Sequence, residues 1–206
     1  DALLIINQLN ESGASEVPRN RPTDSAMVDV NDDQWLSPQD AIHTINVLNS
    51  RNHLVSFDLH ASDLAGNRIK RVDEGSSFYL VFTTEDLRED SKGVFAAYAD
   101  VYYGSSHVSI EEALQFTAPF TNGQAGDLTT SGKLDEWGAF AGLNETGSGE
   151  LEVGRVLMRA VNPGTVVFGT SAADESPAHD VLVYGTTDTI DHHEIDFAGF
   201  QLIIDE

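Results

Sequence analysis

Oxygen-bearing residues recur at a regular spacing between positions 29 and 40. Positions 1, 3, 5, 7, 9 and 12 of this twelve-residue loop are, in order, Asp29, Asn31, Asp33, Trp35 (through its backbone carbonyl), Ser37 and Asp40. An EF-hand-type loop surrounds a hard cation with six or seven oxygens at this spacing. The sequence therefore predicts one calcium site, which Ser37 completes either directly or through a water molecule.

The same loop carries the signals of a helix start. Ser37 is a good N-cap, Pro38 suits the first helical position, and Asp40 lies three residues after the cap, near the positive end of the helix. Position 6 of the loop is Gln34 rather than glycine, although the backbone there usually takes a positive φ. That conformation costs a side-chain-bearing residue about 1 kcal/mol.

The sequence contains a ten-residue repeat, of which one copy precedes the loop and the other begins at the last residue of the loop. Residues 1–10 match residues 40–49, and within each copy apolar residues lie at i, i+4 and i+7. This spacing places them on one face of a helix, and two such short helices are expected to pack on each other. The predicted packed faces consist of Ala2, Ile6 and Leu9 in the first copy and Ala41, Ile45 and Leu48 in the second.

From Leu54 onward the pattern changes to apolar, β-branched and aromatic runs separated by glycine, asparagine, aspartate and proline. Such runs with few helical patterns predict an antiparallel β-sandwich. Residues 121–142 are the least regular and are expected to form a structured loop or a short helical insertion. The clearest strand runs are 78–84, 94–103, 153–161, 164–170, 181–184 and 195–204.

Composition narrows the function classes. The 206 residues carry a formal charge of −23, which disfavours binding to nucleic acid and favours divalent cations. Cysteine is absent, so disulfides and thiolate metal sites are excluded. No apolar run reaches the roughly 18–20 residues that span a bilayer, so membrane insertion is not expected.

Other residues with chemical potential give weaker patterns. His192, His193 and Glu194 are adjacent and, on a strand end, would point to different faces. Neither a nucleophile elbow nor an oxyanion loop accompanies the possible triad of Ser176, His179 and Asp180. Two further sets are better explained as ordinary surface carboxylates and as core or interface aromatics. The possible glycoside-hydrolysis carboxylates are Glu111, Glu112, Asp135 and Glu136, and the possible sugar-stacking platform consists of Tyr102, Tyr103 and Trp137. These patterns do not predict an enzyme.

The loop and its following helix resemble a type I dockerin. The pattern D-x-N-x-D-x-x-x-S-P-x-D runs directly into Ala41-Ile-His-Thr-Ile-Asn, and its wording is similar to dockerins of large planctomycete-type extracellular proteins. The resemblance implies a dockerin-like segment over residues 1–52 that is built from two loop-helix halves. It also implies that Asp1 is the last ligand position of a first loop, so a second calcium would need the loop residues that precede it.

Residues 53–206 resemble a cohesin. The resemblance lies in residues 93–103, 134–141, 177–185 and 195–204. It implies a mainly β, nine-stranded jelly-roll sandwich that binds dockerins through one sheet face and has no catalytic activity.

The resulting hypothesis is a non-catalytic, extracellular or cell-surface module for calcium-dependent association with a dockerin-type or cohesin-type partner, including a second copy of the chain. It would serve cell-surface assembly or polysaccharide degradation. The alternative is a carbohydrate-binding module with a polysaccharide ligand, because jelly-roll sandwiches serve both functions.

Overall fold

The computed structural model describes residues 2–17, 28–30, 34–50 and 53–206, except for the side chains of residues 43 and 46–50. Contacts within the chain form two compact units, Asp1–Asn52 and His53–Glu206, called here the helical unit and the sandwich unit. Among the described residues, none of the helices has the length and apolar character needed to cross a bilayer.

Two helices and a two-stranded ribbon form the helical unit. Helix α1 spans Ala2–Ser12 and α2 spans Pro38–Ser50. Strand β1, Ser15–Glu16, pairs antiparallel with β2, Trp35–Leu36. The two helices pack against each other, and the buried apolar side chains of the unit, among the described residues, are Ile5, Val17, Val28, Leu36 and Ala41.

The packed face of α1 differs from the predicted one by one residue. Ile5 is fully buried, whereas the predicted core residue Ile6 is 37% exposed. Ile5 and the partly buried Leu9 are four residues apart, so they share a helix face on which Ile6 does not lie. In α2 the predicted Ala41 is buried and Ile45 is half-buried, while the side chain of Leu48 lies outside the described residues.

Two seven-stranded sheets form the sandwich unit. Sheet I has the order β15-β3-β6-β12-β8, with β4 on β3 and β9 on β12. Sheet II has the order β10-β11-β7-β13-β16-β5, with β14 on β7. The strands are β3 Val55–Ser62, β4 Arg68–Ile69, β5 Arg71–Asp73, β6 Ser77–Asp86, β7 Val94–Tyr103, β8 Val108–Ile110, β9 Gln115–Phe116, β10 Asn122–Asp127, β11 Lys133–Phe140, β12 Leu151–Ala160, β13 Gly164–Ala172, β14 Leu182–Val183, β15 Ile195–Phe197 and β16 Phe200–Asp205.

Alternating apolar residues hold the two sheets together. On β3, Val55, Phe57, Leu59 and Ala61 are buried in turn while the residues between them face outward. A strand with this period places one complete face in the core. The predicted sandwich is therefore confirmed, although its two sheets contain fourteen strands, several of them two or three residues long, rather than nine. Among the described residues, strands pair in parallel only where β15 meets β3 and β16 meets β5.

Residues 121–142 contain two strands of sheet II, so the expected loop or helical insertion is wrong. β11 pairs with both β10 and β7 and carries the buried Trp137. The pairing of β11 with β7 shifts register between Leu134 and Trp137, which marks a β-bulge. The bulge and the glycines of β10 and β11 interrupt the two-residue period by which strands are recognised.

The predicted C-terminal strand is divided between the sheets. β15 lies in sheet I and β16 in sheet II, and Ala198 and Gly199 separate them. A Cβ at Gly199 would lie 2.4 Å from the carbonyl oxygen of Phe168, so only glycine fits this crossing. The preceding residues His192–Glu194 form a 3-10 helix rather than a strand end, capped by the Asp191 side chain.

Candidate functional site

The loop at residues 28–40 curls around its first carboxylate. Gln34 has φ 69°, the positive value expected at position 6 of the loop. Its backbone N–H donates to Oδ2 of Asp29 at 3.0 Å, and Asp29 is buried. A side chain at the start of the loop therefore fixes the turn at its middle.

Asp40 closes the loop from the other end. Its Oδ1 accepts a hydrogen bond from the Val30 N–H at 2.8 Å, and its Oδ2 accepts one from the Ser37 N–H at 2.8 Å. The residue is fully buried. Because Val30 directly follows Asp29, these bonds bring the last acidic residue of the loop beside the segment that contains the first.

The helix start is as predicted. α2 begins at Pro38, and Oγ of Ser37 accepts a hydrogen bond from the Gln39 N–H at 3.2 Å, which is the bond of an N-cap. The hydroxyl of Ser37 also lies 3.3 Å from Oδ2 of Asp40. Ser37 therefore connects the cap of the helix with the final carboxylate of the loop.

The oxygen atoms of these loop residues fit a calcium ion. Two carboxylates buried in one short loop carry a desolvation cost that a hard cation offsets, and calcium prefers carboxylate, carbonyl and hydroxyl oxygens. Asp29, Ser37, Asp40 and the carbonyl of Trp35 are the residues within the described part of the loop that would hold the ion. The predicted ligands Asn31 and Asp33 lie outside the described residues.

The outer face of sheet II exposes apolar side chains on three neighbouring strands. Tyr102 of β7, Val167 of β13 and Ile203 of β16 are 46%, 58% and 37% exposed. Tyr102 lies opposite Gly169, and Val167 lies opposite Gln201, so the three side chains follow one another diagonally across the sheet. We call these three residues the apolar stripe.

Charged residues border this stripe. Nζ of Lys133 lies 5.6 Å above the centroid of the Tyr102 ring and 2.8 Å from Oδ2 of the buried Asp100. The hydrogen bonds from Lys133 to Asp100 and Asp135 raise the pKa of the lysine further above its ordinary value, so the group remains a cation at neutral pH. One end of the stripe therefore meets a lysine that is paired with two carboxylates.

The outer face of sheet I has a different character. Ser56, Asp58 and His60 alternate with the core residues of β3. On β12, Arg155 lies over the ring of Tyr79 at 5.1 Å, and Arg159 pairs with Glu111 at 3.2 Å. The charged groups on the outer face of sheet I thus make contacts with other side chains of the same face. Sheet II is consequently the better candidate for contact with an apolar partner surface.

The structure separates the other residues that the sequence singled out. Trp137 is fully buried in the core, so it cannot share an exposed sugar-stacking platform with Tyr102. Ser176, His179 and Asp180 line one cavity of about 370 Å³, but Nδ1 of His179 faces Glu136 and Glu175 rather than Asp180. The sequence did not indicate this pairing, because Glu136 lies on β11, 43 residues before His179, which belongs to the segment between β13 and β14.

The sandwich unit has the fold of cohesin modules. A cohesin module from a family 33 glycoside hydrolase of Clostridium perfringens superposes with a TM-score of 0.55 and 17% identity, covering 74% of this chain and 98% of the module. The seventh ScaB type I cohesin of Pseudobacteroides cellulosolvens gives 0.54 and 5%, covering 74% and 92%. The third ScaC cohesin of Acetivibrio cellulolyticus, solved in complex with the ScaB dockerin, gives 0.50 and 10%, covering 74% and 99%.

These identities are low, so the likeness establishes the jelly-roll fold and leaves the partner to other arguments. No protein-family model and no curated protein sequence matches the chain.

Proposed function

We propose that this chain is a non-catalytic, extracellular or cell-surface interaction module that docks a dockerin-type helical partner on the apolar stripe of sheet II. Calcium bound by the docking helices, which belong to the dockerin-type partner or to the helical unit of a second copy of the chain, would make the association calcium-dependent. The observation that carries the proposal is the cohesin fold of the sandwich unit, since a solved cohesin of this fold is seen in complex with a dockerin.

The chemistry of the stripe supports a protein partner. The ring of Tyr102 and the side chains of Val167 and Ile203 are exposed next to one another on an otherwise acidic molecule, and contiguous exposed apolar surface marks sites that bind partners. Lys133, Asp100 and Asp135 form a polar, charged border at the edge of the stripe, and a polar rim around an apolar centre is typical of protein interfaces.

The helical unit offers a matching kind of surface. Leu3 on α1 and Ile42 on α2 occupy equivalent places in the sequence repeat, and they are 64% and 57% exposed. Two short helices with a small core need an additional constraint to hold such residues in fixed positions. A calcium ion at Asp29 and Asp40 would supply it, because metal binding to a loop stabilises the folded form that contains the site.

These surfaces make a second copy of the chain a candidate partner. In this version the helical unit of one molecule docks on the sandwich unit of another. Assembly at the cell surface and a link to polysaccharide degradation belong to the same proposal, by its resemblance to dockerin-bearing extracellular proteins.

The test measures binding of the full chain to two immobilised probes, a type I dockerin with both calcium loops and a second copy of the chain. Each is measured in calcium and in excess chelator. We expect binding to at least one probe in calcium and loss of that binding in chelator. Val167→Asp should weaken binding by about tenfold or more, equal to about 1.4 kcal/mol, because it places a charge in the stripe.

Val161→Asp is the matched control, since Val161 is also an exposed valine but follows β12 of sheet I. It should leave the affinity unchanged. Absence of binding to both probes in calcium would contradict the proposal. Retention on a polysaccharide gel in that case would favour the carbohydrate-binding alternative.

A further inference from the structure

The bulge in β11 turns one acidic side chain out of the strand's regular alternation. Asp135 and Glu136 both lie between Leu134 and Trp137, whose partners Val101 and Ala99 on β7 are separated only by Asp100. Glu136 has φ 56°, and its N–H donates to Oδ1 of Asp100 at 3.0 Å. A non-glycine residue rarely takes such a φ, and strain of this kind clusters at ligand sites.

Glu136 is held at both carboxylate oxygens. Its Oε1 accepts hydrogen bonds from the backbone N–H groups of Asp174 at 2.6 Å and Glu175 at 3.0 Å. Its Oε2 faces Nδ1 of His179 in close contact. The residue is buried, so these contacts fix the direction in which the second oxygen points.

His179 and Glu175 approach the same point from one turn of backbone. The N–H of His179 donates to the carbonyl oxygen of Glu175 at 2.9 Å, and the two side chains, four residues apart, lie on the same side of that turn. Oε2 of Glu175 is 3.5 Å from Nδ1 of His179. One imidazole nitrogen therefore faces two carboxylates from different parts of the fold.

A second layer of contacts orients the imidazole. The His179 ring stacks on Tyr98 with centroids 4.4 Å apart and an interplanar angle of 22°. The hydroxyl of Tyr98 donates to the carbonyl oxygen of Gly123 at 2.6 Å, which anchors the phenol. Packing and hydrogen bonds that fix a ligand ring in this way are typical of the shell around a bound metal.

The local charge favours a cation. Lys133 forms ion pairs with Asp100 and Asp135, at 2.8 Å and 2.5 Å. These two carboxylates neutralise its charge, so the lysine does not neutralise Glu136 or Glu175. His179 lines the cavity of about 370 Å³ together with Asp174 and Asp191, which gives a cation an acidic route to the imidazole. The site is thus negative, oriented and accessible.

We propose that Glu136, Glu175 and His179 form a binding site for a divalent transition-metal ion of the zinc class. Their ligand atoms all lie within 4.8 Å of one another, the range that a single ion can bridge. One imidazole nitrogen and two carboxylates suit zinc, whereas calcium takes oxygen ligands only. The site does not depend on the docking function proposed above and is distinct from the calcium loop.

Such an ion would attach the segment after β13 to the bulge of β11. Glu175 and His179 belong to that segment, while Glu136 belongs to the sheet. Three protein ligands leave a fourth position for water or for a donor from a partner.

The test is calorimetric titration of Zn²⁺ into the chelator-treated full chain with calcium present in excess. We expect one strong site per chain. Glu136→Gln should weaken it by about 100-fold or more, because loss of even an outer-shell partner of a metal ligand costs about 10–100-fold. Glu136→Gln keeps an oxygen that can accept the two backbone hydrogen bonds. Co²⁺ added in place of Zn²⁺ should give visible absorption bands that the variant lacks.

Glu175→Gln is a second test that keeps the question answerable if Glu136→Gln fails to fold, because the Glu175 side chain is 68% exposed. It should also weaken zinc binding strongly. His193→Gln and Glu112→Gln remove an exposed histidine and an exposed carboxylate elsewhere, and they should have no effect. The proposal would be overturned if the titration with Zn²⁺ released no heat of binding, or if that heat were unchanged in Glu175→Gln.

Discussion

Asp86, at the end of β6, shows how one buried carboxylate organises a turn. It accepts hydrogen bonds from Nε and Nη2 of Arg88 at 2.8 and 2.7 Å, and from the backbone N–H groups of Lys92 and Gly93 at 3.1 and 2.9 Å. Burial by itself would raise the pKa of Asp86. The bonds from Arg88 and Gly93 outweigh that effect, so the pKa lies below the ordinary 3.8.

Asp86→Asn should therefore lower the free energy of unfolding by about 2–3 kcal/mol at neutral pH, because it leaves the Arg88 charge without its partner. A folded-state pKa below the unfolded value means that this stabilisation is present above pH 3.8 and is lost as the pH falls through the folded pKa. The difference between wild type and variant should shrink accordingly in acid. Urea unfolding followed by the fluorescence of the buried Trp137, in a Trp35→Phe background, measures it.

The control for that prediction is Asp90→Asn, which makes the same charge change at an exposed position of the same turn. It should change the free energy of unfolding by less than about 0.5 kcal/mol. Equal losses in the two variants would show that net charge, rather than the hydrogen bonds of Asp86, sets the stability of this turn.

Gln34 gives a prediction of opposite sign. Its φ of 69° is natural for glycine and costly for a residue with a Cβ. Gln34→Gly should therefore strengthen calcium binding, by about 1 kcal/mol, while it keeps the backbone N–H that donates to Asp29. Calcium titration followed by far-ultraviolet circular dichroism checks this.

Gln39→Gly, in the first turn of α2, is the matched control for Gln34→Gly. It should weaken calcium binding instead, because glycine costs a helix about 1 kcal/mol. The same sign of change in both variants would contradict the conformational argument.

At the scale of elements, Gly138 sets how closely β11 approaches β7. A Cβ there would lie 2.1 Å from the carbonyl oxygen of Ala97 and 2.5 Å from Cα of Tyr98. Both are backbone atoms, so the strand itself must move. Gly138→Ala should destabilise the sandwich unit by about 2–3 kcal/mol, as measured by thermal unfolding.

Gly169 of β13 provides the comparison for Gly138. It lies in the same sheet, and a Cβ there meets no atom within 4 Å. Gly169→Ala should leave stability within about 0.5 kcal/mol of wild type. If Gly138→Ala were equally harmless, the close approach of β11 and β7 would not be a constraint on the fold.

Elements were predictable where side-chain periodicity was intact. The runs at 78–84 and 94–103 lie within β6 and β7 because their apolar residues alternate or are continuous. Strand β11 was not predicted, because Asp135 and Glu136 together take the place of one residue. The side chains that face the core therefore change from one parity of residue number to the other in the middle of the strand. The ten-residue run at the C-terminus was identified, but its division at Gly199 was not, because the crossing depends on the distant carbonyl of Phe168.

At the scale of the whole molecule, a candidate site was predictable when its residues are contiguous. The calcium loop lies within twelve residues, and its turn at Gln34 and cap at Ser37 follow from local rules. The apolar stripe and the Glu136–His179 contact combine strands and loops that are distant in the chain. Their residues carry no local signal, so only the three-dimensional fold reveals them.

The two units should respond differently to calcium. The described core of the helical unit is small, whereas the sandwich core extends across two seven-stranded sheets. Calcium bound at Asp29 and Asp40 would stabilise the helical unit alone, by about 2.7 kcal/mol when its free concentration is about 100 times the Kd. Removing calcium should therefore lower only that unit's melting temperature.

Differential scanning calorimetry of the full chain in calcium and in chelator measures both transitions. Far-ultraviolet circular dichroism should show loss of helix on chelation, while the near-ultraviolet signal of the buried Trp137 stays unchanged. Asp29→Asn in calcium should reproduce the effect of chelator, and Asp90→Asn should not, because Asp90 is an exposed residue of the sandwich unit. If both transitions fell together on chelation, the loop at residues 29–40 would not be the calcium site that matters, and the sandwich unit would have to bind calcium itself.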